Sequence, residues 1–268
     1  MMTLAIGGPV VAIAQVPSCS PVERQFHAGY PLSTSGRLQL KNLRGAVYIN
    51  GTNQTQVEVD ATESACSQSD LDSIQILAQS RPPNRERPDV LEIETRHRRQ
   101  GAAISVEYHI SVPRNIRLDR IAVEQGNLTI SGVNGQIHAR SGAGDVVVKG
   151  VAAPSHISSG RGSVQVDFAR LSGGDRLSTK GELTVTLPSD TSADITATTG
   201  SREINNEFGV PATATSRGHS LTFRIGRGAA FMQLTAFGGS ISILRANDDK
   251  PLNEVVNLER ELPRPWID

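Results

Sequence analysis

The groups in this chain that could do chemistry are few and scattered. Asp145 and Glu182 are the one pair of acids that fall at equivalent places in a repeated pattern. Two repeats of parallel strand would set them about 9–10 Å apart, a separation suited to an inverting pair of carboxylates on a polysaccharide. The plainer expectation is that they belong to a polar ladder on solvent-facing corners, where acids normally lie. His138 and His156 are one repeat apart and are expected to neighbour each other on a strand, but a structural zinc site needs four ligands. His27, His97, His109 and His219 make no tight spacing with them. "SGAGD" occurs once, where calcium-binding β-rolls need consecutive copies. "GHSL" lacks the second glycine of a nucleophile elbow, and "GRGS" and "GRGA" lack the residues and following helix of a phosphate loop. No catalytic residue, metal or cofactor is therefore expected.

Two features bear on binding and location. "RHRR", residues 96 to 99, with Arg81, Arg85 and Arg87, is a basic knot that could meet an anionic polymer or lipid head groups, or simply be a solvated loop. Lys plus Arg equals Asp plus Glu at 27 each, so no long-range field draws in nucleic acid or anionic lipid. Aromatics at 4% are too sparse for a base-stacking platform. The apolar run MMTLAIGGPVVAIA, closing on Ala12-Ile13-Ala14, reads as a secretory signal peptide over residues 1–14, although no Lys or Arg precedes it. No segment reaches the ~20 apolar residues of a membrane span. The expected location is therefore exported: periplasmic, cell-surface or secreted. Cys19 and Cys66 are the only cysteines. In an exported chain they either form a disulfide or remain two thiols, and spacing alone does not choose between these.

The positions that must hold such groups are set by a repeat. Gly126, Gly144, Gly162, Gly181, Gly200 and Gly239 each open a similar segment, with Gly45 an earlier candidate; the first four spacings are 18, 18, 19 and 19. Two and four residues after the glycines stand aliphatic side chains: Val47 and Ile49, Leu128 and Ile130, Val146 and Val148, Val164 and Val166, Leu183 and Val185, Ile204, then Ile241 and Ile243. Residues between them are mostly polar. Period-2 alternation inside an 18-residue period calls for short strands with one inward face. A single unit cannot fold. Ordering it costs ~1–2 kcal/mol per residue, against ~1.5–3 kcal/mol for each buried aliphatic side chain. The copies must stack.

The expected fold is all-β: a parallel β-solenoid with an N-terminal antiparallel section. Its expected parts are a linker at 15–25 and one domain at 26–246. Within the domain, 26–115 would hold the first coil and the antiparallel strands, and 116–246 the repeats. A hairpin-like insertion is expected at 200–238, and a charged tail at 247–268 with a short helix near 252–261. The corner glycines are expected to serve turns that need φ > 0.

With these segments in view, "GRLQLKNLRGAVYINGTNQTQVEV", "YHISVP", "SGAGDVVVKGV", "KGELTVTLPSD" and "MQLTAFGGSISI" together resemble a bacterial family of exported domains of unknown function, usually labelled putative adhesins. The resemblance covers about residues 26 to 245. The corners "GRGS", "KGEL" and "TGSR" depart from the family's commoner "SGD". What it implies is a parallel β-solenoid with no catalytic residues to carry over. The expected function is a non-catalytic binding or scaffolding protein of the cell envelope, whose partner is an envelope protein or a surface glycan. The alternatives are a carbohydrate-active enzyme using Asp145 and Glu182, and a regulator of envelope stress.

Overall fold

The computed structural model describes residues 19–84, 88–98, 103–200 and 202–258. It is all-β, with two large sheets facing one another across a shared core and one short helix. Its middle is built by regular alternation. β8 (Arg117–Gln125), β10 (Ile137–Ala143), β12 (Ser155–Ser159) and β14 (Asp175–Thr179) lie side by side in one sheet, called here the second. β9 (Leu128–Ser131), β11 (Val146–Val151), β13 (Val164–Phe168) and β15 (Leu183–Leu187) lie side by side in the first. All these neighbours are parallel.

The register stacks like on like. Leu128 pairs with Val146, Val146 with Val164 and Val164 with Leu183; Ile130, Val148, Val166 and Val185 form the second column. All eight are at most 1% exposed, so each gains most of the ~1.5–3 kcal/mol that burial of such a side chain supplies.

The glycines explain the tight stacking. A Cβ on Gly144 would lie 2.2 Å from the carbonyl oxygen of Gly126. The same clash recurs for Gly126 on Gly45, Gly162 on Gly144, Gly181 on Gly162 and Gly239 on Gly181, at 2.1–2.5 Å. Gly45, Gly126 and Gly144 also have φ between +114° and +151°, but Gly162, Gly181 and Gly239 do not lie in that region. The shared requirement is therefore close approach of main chains, not the left-handed φ that the sequence led one to expect. Inside the same corner, hydroxyls of Ser141, Ser159 and Thr179 donate to the carbonyls of Gly126, Gly144 and Gly162. These serines and the threonine are buried, and the bonds offset the cost of enclosing their polar atoms.

At the N-terminal end come β1 (Val22–Pro31), β2 (Arg37–Arg44), β3 (Val47–Thr52), β4 (Gln56–Ala65), α1 (Gln68–Leu71), β5 (Ile74–Arg81), β6 (Val90–His97) and β7 (Ile104–Pro113). Residues 22–25, expected in a linker, open β1. β6 and β7 were expected in an antiparallel section. Each has one antiparallel neighbour, β5 and β4 respectively, but they also run parallel to β2 and β3 and extend both ladders by one level. Only β1, β4 and β5 are antiparallel to all their neighbours here. Tyr108 of β7 is fully buried, and its hydroxyl lies 2.8 Å from that of Thr95.

The C-terminal end contains β16 (Ala193–Thr199), β17 (Ile204–Asn206), β18 (Thr213–Thr215), β19 (Gly218–Ile225), β20 (Ala230–Ala236), β21 (Ile241–Arg245) and β22 (Val255–Asn257). Here several expectations are corrected. The span 200–238 is not one insertion. β17 and β20 are parallel members of the two sheets, and only β18 and β19 form a hairpin. Antiparallel pairing is thus found at both ends. β20 sits between β14 and β16, and β21 between β15 and β17, so the last unit of the chain enters before its predecessor. Ile204 pairs with Ile241 and not with Ile243, two residues from its expected column. Residues 255–257 are strand, not helix, and the rest of the expected tail helix beyond 258 lies outside the described residues.

Candidate functional site

The outer face of the second sheet departs from regularity at one place. Leu38 pairs with Leu118, but Leu40 pairs with Ile121. β8 therefore carries an extra residue, and Asp119 and Arg120 together face the single residue Gln39. On the other side the same two face His138 alone. This is a β-bulge, a device that re-aims side chains. Arg120 adopts φ +63°, which costs a non-glycine residue ~1–2 kcal/mol. The gain is a network: Arg120 Nη2 donates to Gln39 Oε1 at 3.0 Å, and Gln39 Nε2 donates to Asp119 Oδ2 at 3.2 Å. His138 Nδ1 lies 3.7 Å from Asp119 Oδ1, and Nε2 lies 3.1 Å from Gln136 Nε2.

His138 and His156 are register partners, and their rings stack at 4.7 Å with an interplanar angle of 7°. They help to line a cleft of about 600 Å³ with Lys41, Glu92, Glu94, Arg120, Arg140 and Ser158. A second cleft of about 550 Å³ shares Ala122, Arg140 and Ser158 with it and continues past Gly142, Gly160 and Ser178 to Lys180 and Phe237. Phe237 is 65% exposed. The two clefts make one groove that crosses the strands.

Charge is distributed unevenly along it. At the β6 end Glu92 is bound by Arg81 at 2.8 Å, while Glu94 is bound by Arg96 at 2.5 Å and approached by Lys41 at 3.7 Å. The hydrogen bond from Arg96 holds Glu94 below the usual carboxylate range. The positive charges of Arg81 and Arg96 in the basic knot are thus spent within the fold; Arg85, Arg87 and Arg99 lie outside the described residues. In the middle and far parts of the groove, exposed Arg140 and Lys180 have no side-chain hydrogen bond or ion pair among the described residues, nor has Arg176, which stands beside His156 on the same sheet face.

The acids weighed for catalysis stand elsewhere. Asp145 Oδ1 accepts the Ser163 main-chain N–H at 2.8 Å, and the Asp145 N–H donates to Asn127 Oδ1 at 3.0 Å. Asp145 is thereby a link in a ladder that ties successive corners together. Neither Asp145 nor Glu182 lines the groove. Asp190 pairs with Lys250 and Asp194 with Arg224. His27 bonds to Asp60, which raises its pKa, His109 stacks on Tyr48, and His219 meets the carbonyl of Arg202. Among the described residues no three His, Cys, Asp or Glu side chains gather to hold a metal.

Two structural groups complete the picture. Cys19 and Cys66 form a disulfide with a Cα separation of 5.5 Å, tying the chain ahead of β1 to the end of β4. Val47, Ile49, Ile204, Ile241 and Ile243 lie in the common core with the eight aliphatics of the middle. Gly200 would meet the carbonyl of Phe237 at 2.4 Å. Sequence reasoning missed the bulge, Arg140, Lys180, Phe237 and the buried Asp175. The bulge alone left a trace: Leu118 and Ile121 are three residues apart where the pattern asks for two.

No family model and no curated protein matches the chain. Among solved structures it is similar to a putative cell adhesion protein from Clostridium sporogenes, at 15% identity and a TM-score of 0.48, over 85% of this chain and 100% of the other. A putative adhesin from Bacteroides fragilis has 9% identity and a TM-score of 0.32, over 83% and 97% of the two chains. A putative adhesin from Parabacteroides distasonis has 9% identity and a TM-score of 0.27, over 84% and 98%. Among the described residues no helix is long and apolar enough to cross a membrane.

Proposed function

We propose that this chain is an exported, non-catalytic β-solenoid of the cell envelope that binds a surface glycan along the outer face of its second sheet. The observation that carries the reading is the joining of two clefts at Arg140 into one groove. A groove running across parallel strands suits an extended chain, because each strand offers it an equivalent position. Ser158, Ser178 and Thr235 are register neighbours, and their hydroxyls can exchange hydrogen bonds with sugar hydroxyls at each step. A floor of Gly142 and Gly160 leaves room for the ligand.

The hydrolase or lyase reading would need acids converging on a bound sugar. Asp145 is instead engaged by Ser163, which supports a structural role for it. The test is retention of a panel of cell-surface polysaccharides by the purified protein, with the same mixtures assayed for new chain ends. Retention without cleavage, lost in Arg140→Glu, is the expected result. Cleavage that disappears in Asp145→Asn or Glu182→Gln would replace this reading with the enzymatic one.

A further inference from the structure

The groove also specifies the charge of what it would hold. It extends from β6 through β2, β8, β10, β12 and β14 to β20. Six strand spacings make this about 29 Å, long enough for a short run of sugar units and too long for a single small molecule. Along that length the acids are compensated at one end only. Glu92 and Glu94 are bound by Arg81 and Arg96, and Asp119 is engaged within the bulge by Gln39. Beyond the bulge the order across the strands is Arg140, Ser158, Ser178 and Thr235 in one row. The row beside it is His138, His156, Arg176 and Gln233. Lys180 and Phe237 close the groove. Glu124 is the one carboxylate lining this stretch. Two exposed cations, Arg140 and Lys180, thus line this stretch against one acid, with Arg176 exposed in the neighbouring row, in a chain whose formal charge is zero.

We infer, resting on the glycan-binding reading above, that the groove takes a linear acidic polysaccharide whose carboxylates meet Arg140 and Lys180 while a sugar ring rests on Phe237. A guanidinium matches a carboxylate in two parallel hydrogen bonds, and the ammonium of Lys180 supplies a second contact further along the polymer. The hydroxyl row between them suits sugar edges. A nucleic acid fits less well: the one aromatic that lines the groove offers no succession of stacking platforms, and so few cations neutralise few phosphates.

The experiment compares polygalacturonate with its methyl-esterified form, which keeps the backbone and masks the charge, using affinity electrophoresis and calorimetry on the full chain. Alginate, dextran and a mixed oligonucleotide are run beside them. The expected result is binding of the two acidic polymers, weakened by added salt and lost on esterification. The double variant Arg140→Ala, Lys180→Ala should bind at least about tenfold more weakly with an unchanged melting temperature, since both side chains are exposed. Phe237→Ala should weaken binding a few-fold without altering its dependence on salt. Equal binding of the esterified polymer or dextran, indifferent to the double substitution, overturns the acidic ligand and leaves the glycan reading standing. Preference for the oligonucleotide overturns it in favour of nucleic acid. Retention of no polysaccharide at all overturns the glycan reading and this inference together.

Discussion

Between β8 and β15 the order of strands in space is their order in the chain; at either end the two orders part. In the middle each strand finds its neighbour one period away, and one rule suffices at every level: glycine on glycine, hydroxyl under carbonyl, aliphatic on aliphatic. At the N-terminal end β2 and β3 lie between later strands, β6 and β7 on one side and β8 and β9 on the other. At the C-terminal end β20 and β21 enter between units already laid down. The lesson concerns edges. A stack of identical units ends in two open strand edges, which invite pairing with other molecules. This chain covers both sheets with antiparallel strands at one end, β4 and β5, and the second sheet with β19 at the other, where the first sheet ends on the short strand β17. It then wedges a unit into each end from elsewhere in the sequence. The longer loops that this demands cost little, because closure entropy grows only with the logarithm of length.

That contrast can be broken most severely in the middle. Val148→Asp puts a charge among residues with no polar partner, and the cost of burying it exceeds the ~5–15 kcal/mol stability of an ordinary domain. Circular dichroism should show no folded protein. Ile204→Asp, on the short edge strand β17, should cost only ~2–3 kcal/mol and leave a cooperative melt, since β17 can detach while the rest persists. A soluble, cooperatively melting Val148→Asp would refute the shared core of the middle.

The N-terminal closure is tested by replacing Cys19 and Cys66 with serine. The disulfide closes a loop with a sequence separation of 47, for which chain entropy predicts a loss of about 4 kcal/mol. The loss should be local. Hydrogen exchange is expected to quicken in β1 and β4 and to stay slow from β9 to β15; uniform quickening would show that the end and the middle unfold as one.

The glycine ladder is probed by two alanines. Gly162→Ala, at a glycine outside the left-handed region, places a Cβ 2.3 Å from the Gly144 carbonyl and forces two levels apart, at a cost of ~2–3 kcal/mol. Gly150→Ala, at φ +75° but with nothing within 4 Å, bears only the left-handed penalty of ~1–2 kcal/mol. Urea titrations of both variants compare close approach with backbone conformation directly, and equal losses would count against the stacking argument.

How much of this was legible follows the same division. The strands around Leu128, Val146, Val164 and Leu183 could be read because the 18-residue period and the alternation agree. The place of Ile204 was misread by two residues because its strand lacks the aliphatic two after Gly200, where Arg202 stands. The levels of β6, β7, β20 and β21 were not legible. Any Val- or Ile-rich strand fits any level of such a stack, and nothing in a period encodes who sits beside whom. The groove was hidden for a related reason. Arg140 and Lys180 are ordinary outward residues in sequence, and only the parallel register brings them to a common face.

The smallest effect expected concerns an acid that the ladders enclose. Asp175, at the start of β14, is fully buried, and one of its oxygens accepts from the main-chain N–H and the hydroxyl of Ser155 at 2.8 and 2.7 Å. The other oxygen has no partner. Burial raises its pKa above the ordinary 3.8, and the bonds from Ser155 and the charge of His156 only partly oppose this. A group whose pKa is raised by folding stabilises most when protonated. Its contribution is therefore complete below the ordinary aspartate range and is lost as pH climbs through the raised value. Asp175→Asn keeps an oxygen for Ser155 and removes the buried charge. At neutral pH the variant should be more stable by about 1 kcal/mol, the lower end of the cost of an unsatisfied buried group. The advantage should shrink as the parent is acidified. Melting curves from pH 3 to 8 decide it: a difference that does not depend on pH would mean that Asp175 titrates alike in the folded and unfolded chain.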